Sequence, residues 1–206
     1  MKQEERRRQT TALLSDTVKK LVTAKGCGAI TMKDIMEESG LSKGAIFHYV
    51  KSKDELFVQV LRERLEETNR QFREEVLQGG KSFAEPMQKI SDSIAAYART
   101  EEVTNKILLY LLGKEEQPLI AEALKEYDER TRALLAEWIR IGQRHGVISE
   151  KVDADRTADM FVLLTMGMRV RASITGTSGS FDASHLSEWI ARTLQPHDHA
   201  AKESRT

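Results

Sequence analysis

Apolar residues recur along this chain at helical spacing, and short polar or glycine-containing breaks punctuate them. Leu14, Val18, Leu21 and Val22 form one face of a first helix over about 4–24, which Gly26 and Gly28 end. Thr31 then reads as the N-cap of a second helix, with Asp34 three residues on in the capping-box position. Ile35 and Met36 face inward, and Ser39-Gly40 closes this helix after barely two and a half turns. Ser42 caps a third short helix that reaches Tyr49. At 100° per residue its Ile46 and Val50 share an inward face, while Gly44 and His48 point nearly opposite. Ala45 and Phe47 flank that outward face and Lys43 stands at its edge. Ser52 with Glu55 makes an S-x-x-E capping box that opens a long helix through Leu56, Phe57, Val60 and Leu61 to about Leu77.

The second half predicts helices at about 83–99, 101–113, 118–145, 153–175 and 183–195. Loops are expected over 78–82 and 176–180, and a disordered polar tail over 196–206. Helix 153–175 contains a run, Met160 to Met168, that is apolar on every face and so demands cover on every side.

Composition agrees with an all-α fold: 40% of residues are hydrophobic and only 3 are proline. There is no apolar run long enough to span a membrane and no signal-peptide pattern, and the single cysteine, Cys27, is read as structural. A cytoplasmic protein is expected. The formal net charge is zero, yet residues 1–60 carry 11 Lys+Arg against 8 Asp+Glu, which leaves the remainder acidic. A basic head on an acidic body suits a DNA-binding segment joined to a regulatory one. No catalytic motif, cofactor fingerprint or metal-ligand spacing is present, and His145, His185, His197 and His199 form no metal set. No enzyme, no cofactor and no metal are therefore expected.

Two short helices joined by a glycine-containing turn, behind a supporting helix, make the helix-turn-helix pattern. A helix fits the DNA major groove when a second one braces it on the phosphates. A glycine and an exposed aromatic on the outward face of the third helix are poor choices for a free surface. They suit one that meets DNA, where small and aromatic groups touch thymine methyls and Lys43, Lys51 and Lys53 reach phosphates.

The stretch Thr31 to Phe57, TMKDIMEESGLSKGAIFHYVKSKDELF, resembles the signature of the tetracycline-repressor (TetR) family, G-[LV]-S-[KR]-G-[TS]-[LI]-Y-x-[HY]-F-x-[SN]-K-[ED]-x-L. The resemblance implies an all-helical homodimer: a three-helix DNA-binding domain over 1–52 and a helical ligand-binding and dimerisation domain over 53–195. It places Thr31 and Met32 or Lys33 at a phosphate. Ser42, Lys43, Gly44, Ala45, Phe47, His48 and Tyr49 become the recognition surface, and Lys53 a further phosphate contact. Two departures stand out: Ala45 replaces a threonine or serine, and Phe47 replaces a tyrosine.

Met160, Leu164 and Gly167 with Leu186, Trp189 and Ile190 would form the interface with a second copy. Tyr97, Tyr110, Trp138, Phe161, Met166 and Arg169 are candidate walls of a pocket for a small, partly apolar effector. The partners so implied are double-stranded DNA, a second copy and the effector. The implied role is a repressor that binds a palindromic operator until its effector releases it. The other reading left open is a helical protein-interaction module without sequence-specific DNA binding.

Overall fold

The computed structural model describes residues 2–79, 84–99, 101–174 and 179–195. Of the loop expected over 78–82, Gln78 and Gly79 instead continue the fourth helix and 80–82 lie outside the described residues, as do most of that over 176–180 and the tail at 196–206, with His197 and His199. The protein is all-α. Its elements are α1 (Lys2–Ala29), α2 (Met32–Ser39), α3 (Lys43–Phe47), α4 (Lys53–Gly79), α5 (Ala84–Tyr97), α6 (Val103–Leu112), α7 (Pro118–Arg144), α8 (Ala154–Ser173) and α9 (Ala183–Leu194).

The local signals explain most boundaries. Gly26 takes φ 73°, which breaks the regular part of α1 where the sequence expects it to end, and a short helical turn continues to Ala29. Thr31 and Asp34 form both halves of the capping box: the Thr31 hydroxyl accepts from the Asp34 amide at 3.2 Å, and the Thr31 amide donates to the Asp34 carboxylate at 2.8 Å. Gly40, at φ 68°, ends α2 in the left-handed conformation. Ser42 caps α3 by accepting from the Ala45 amide, and Asp153 caps α8 by accepting from the Arg156 amide. At the start of α4 the Glu55 amide donates to Ser52, but the Glu55 carboxylate accepts from the amide of Lys51, one residue before the expected partner.

The chain divides into two compact units, one of residues 1–68 and 100–128, the other of 69–99 and 129–206. Helices α4 and α7 are each shared between them. In the first unit α1 packs against α2 and α6. Leu14, Val18, Val22, Ile35, Ile46, Phe57 and Val60 are wholly shielded from solvent there, with Ile107 and Leu111 from α6. These units are packing units, and α6 thus folds with the head helices although it lies beyond residue 52.

In the second unit α5, α8 and α9 pack together. Met87, Ile94, Ile139, Ala158, Phe161, Met168, Leu186, Ile190 and Leu194 make its core. Trp138 stacks on Phe72 at 4.2 Å, and its indole N–H donates to the Asn69 side chain at 3.1 Å. Among the described residues no helix is long and apolar enough to cross a membrane.

Candidate nucleic-acid interface

The short α3 is held by two anchors. Ile46 is fully buried and Val50, just past the helix, is 4% exposed. Opposite them the helix presents Lys43, Gly44, Phe47 and His48, all exposed, with Ala45 and Tyr49 half-buried at the sides. Phe47 keeps 42% of its surface open, a large aromatic exposure for a position the backbone could have turned inward. The Lys43 ammonium lies 5.6 Å from the Phe47 ring centroid, and the His48 and Tyr49 rings meet edge to face at 5.3 Å. The expected recognition residues therefore form one continuous surface of cationic, aromatic and backbone groups. Gly44 is open on its outer side: a Cβ added there would meet no atom within 4 Å.

The start of α2 lies exposed beside it. Thr31 and Lys33 are exposed and Met32 is half-buried. Lys33 stands 3.6 Å from Glu37, a solvent-exposed pair that is worth little and can yield to a phosphate. Asp34 is occupied: Lys25 at 2.6 Å and the Thr31 hydroxyl and amide hold its carboxyl well below the usual carboxylate range. Lys20 of α1 pairs with Glu38 of α2. The face of α2 toward α1 is thus neutralised within the protein, which leaves Lys33, Lys43 and Lys51 as exposed cations near the recognition surface.

Lys53 is placed differently from the expected phosphate contact. Its ammonium donates to the carbonyls of Cys27 at 3.1 Å, Gly28 at 3.3 Å and Ile30 at 2.7 Å. It also lies over the Tyr110 ring, 5.4 Å from the centroid. Tyr110 is accordingly part of the head unit and not grouped with the other expected effector residues. Its ring meets Phe57 edge to face and also carries the Lys114 ammonium at 4.5 Å. Lys114 pairs with Asp54 at 2.6 Å, and that carboxylate raises the lysine's pKa. Sequence reasoning missed this cluster because its members come from distant parts of the chain, Asp54 and Lys114 lying 60 residues apart. Burial pushes the Cys27 thiol up to about 11, which makes it an inert core group.

In the second unit Tyr97 and Arg169 come together, the guanidinium 3.7 Å from the ring centroid. Phe161 meets Trp189 edge to face at 5.9 Å. Trp138 is spoken for by Phe72 and Asn69. None of these residues lines the open groove of about 490 Å³ in the head unit, which Arg7, Tyr49, Gln59, Arg62 and Leu119 help to form.

The expected interface needs correction on α9. Leu186 and Ile190 are 0% and 1% exposed, buried in the chain's own core, and have no face left open for a second copy. Met160, Leu164 and Trp189 are half-buried against the same core. What α8 leaves open is Leu163 at 66%, Gly167, and Val170 at 40%, one stripe at i, i+4 and i+7, while Ile174 at 53% lies just past the helix in extended backbone. The helical period had placed apolar residues all round α8 but could not say which side its own subunit would cover.

Residues 16–60 match the family model described as bacterial regulatory proteins, tetR family. The HTH-type transcriptional regulator BetI of Rhizobium meliloti (strain 1021) is 23% identical over 175 residues, covering 83% of this chain and 81% of the relative. Among solved structures, a TetR transcription regulator from Haloarcula marismortui ATCC 43049 superposes with a TM-score of 0.66 at 18% identity, covering 91% of this chain and 97% of that one. A transcriptional regulator from Saccharomonospora viridis in complex with choline gives 0.63 at 19% identity, covering 90% and 95%.

Proposed function

We propose, from the premise that this chain belongs to the TetR family of DNA-binding transcriptional regulators, that it is a homodimeric repressor released from a palindromic operator by a small, partly apolar effector. The observation that carries this is the surface of α3. Ile46 and Val50 fix the helix, and Lys43, Gly44, Phe47 and His48 stand open on its far side. Lys43 supplies charge toward phosphates or a guanine edge. Phe47 offers an apolar edge to thymine methyls, and Gly44 lets the helix backbone approach the groove. Ser42, Ala45 and Tyr49 complete the recognition surface, and Thr31, Met32 and Lys33 brace it on the backbone. Residues 1–52 carry DNA binding and 53–195 carry regulation and dimerisation.

Dimerisation rests on the α8 stripe of Leu163, Gly167 and Val170, with Met160 and Trp189 at its margins. Exposed apolar side chains at this spacing are what a second helix covers. A two-fold pair of recognition helices about 34–36 Å apart meets successive major grooves, which makes the operator palindromic. The effector reading rests on Tyr97 and Arg169, which meet in the second unit, with Phe161 and Met166 as its apolar walls; Trp138, stacked on Phe72 and bonded to Asn69, backs it from the core. The effector must bind the DNA-free conformation better than the DNA-bound one, or it shifts nothing. Choline, which the Saccharomonospora viridis regulator binds, is the first compound to try.

The test is titration of the wild type and of Lys43→Ala/His48→Ala against the DNA upstream of this protein's own gene, over a range of salt and with competitor DNA. Competitor-resistant binding lost in the double variant, by a species sedimenting as a dimer, supports the reading. Equal, weak binding by both proteins on that DNA and on genomic fragments refutes it.

A further inference from the structure

We infer that Lys53 is a positioning residue, an internal clamp that closes the helix-turn-helix on itself, and not a phosphate contact. An ammonium has three N–H groups and no acceptor. Here the three carbonyls of Cys27, Gly28 and Ile30 lie within 2.7 to 3.3 Å of it, enough to engage all three. The Tyr110 ring closes a fourth side. A phosphate would have to displace one of these partners.

What the clamp joins gives it its role. The three carbonyls belong to the last turn of α1 and the link into α2, just before the N-cap Thr31. Lys53 is the first residue of α4, three residues after the anchor Val50. The bonds therefore tie together the entry and the exit of the helix-turn-helix, across separations of 23 to 26 residues. The last turn of α1 has no basic residue of its own. A cation is favourable at a helix C-terminal end, where carbonyls accumulate partial negative charge, and this one arrives from the far side of the motif. Tyr110 lies against it from α6, and the Lys114 ammonium, paired with Asp54, lies over the same ring. With the entry and exit fixed, α2 and α3 keep one orientation relative to α4, and the open face of α3 is presented as a rigid surface.

The first arm of the test uses no DNA. Amide hydrogen exchange is measured on the full chain for wild type, Lys53→Met, Lys53→Arg and Lys51→Ala. The amides of Asp34 and Ile35, which close the first turn of α2 on Thr31, exchange at least tenfold faster in both Lys53 variants and at the wild-type rate in Lys51→Ala. A planar guanidinium fork is longer than an ammonium and does not fit three carbonyls converging on one point. Unchanged exchange in the Lys53 variants overturns the clamp.

The second arm titrates a duplex that the wild type selects from a random pool, and an unselected duplex of equal length, at several salt concentrations. A clamp gives a loss of tenfold or more on the selected duplex for both Lys53 variants, little loss on the unselected one and an unchanged salt slope. A phosphate contact gives equal losses on both duplexes for Lys53→Met, a slope lower by about 0.9 and recovery in Lys53→Arg; that pattern overturns the inference. Should Lys53→Met not fold, Lys53→Arg decides on both readouts: rapid exchange with lost selectivity supports the clamp, wild-type behaviour overturns it.

Discussion

Replacing Gly44 by alanine is expected to move stability and DNA affinity in opposite directions. The glycine sits in the first turn of α3 with ordinary negative φ, and a Cβ there would meet nothing within 4 Å. Alanine thus enters without strain, and it lowers the conformational freedom of the unfolded chain. Glycine in a helix interior costs about 0.5–1 kcal/mol relative to alanine. The first turn of a five-residue helix takes the lower end, about 0.5 kcal/mol, or roughly 1–2 °C in Tm for a chain of this size. On the DNA side the same methyl fills the gap through which the backbone approaches the groove. Affinity for a selected duplex is expected to fall tenfold or more, about 1.4 kcal/mol. Thermal melting followed by circular dichroism and fluorescence anisotropy titration read the two effects. A variant that melts higher and binds DNA as tightly as the wild type refutes the close approach at Gly44. A variant that melts lower refutes the open space read from the structure.

Other perturbations probe other parts of the chain. Val170→Glu combined with Leu163→Glu should dissociate the proposed homodimer while helicity persists, since both side chains are exposed in the single chain; sedimentation equilibrium measures it, and an intact dimer removes the α8 stripe from the interface. Asn69→Ala leaves the buried Trp138 N–H without its acceptor, a loss of about 1–3 kcal/mol seen in denaturant unfolding. Thr31→Ala removes the α2 cap and should destabilise the protein by about 0.5–2 kcal/mol in the same assay. For Asp34, Lys25 and Thr31 depress the folded-state pKa below its ordinary 3.8. Its contribution is therefore present above pH 3.8 and is lost as the pH falls toward the folded value. The Tm gap between wild type and Asp34→Asn should hold steady from neutral pH down to about pH 5 and close below pH 3.8; a gap that closes near neutral pH contradicts the Lys25–Thr31 arrangement.

Much of this molecule is written locally. Helix starts at Thr31, Ser42 and Asp153 and the end at Gly40 depend on interactions within four residues, so a sequence pattern suffices to place them. The inward and outward faces of α3 follow from 100° per residue, which is why Ile46 and Val50 are buried and Gly44, Phe47 and His48 exposed as the pattern requires. The tertiary structure decided whatever depends on long-range partners. Lys53 stands in a position where charge alone suggests phosphate, and three carbonyls more than twenty residues upstream take its ammonium instead. Tyr110 looked like one more aromatic wall, but its neighbours are Phe57, Lys53 and Lys114 of the head unit. On α9, hydrophobic spacing marks Leu186 and Ile190 as a face to be covered, and it cannot distinguish cover by α5 and α8 from cover by a second copy. Periodicity fixes which residues share a side of a helix. Only packing fixes what that side meets, because burial is favourable against any apolar surface that arrives there.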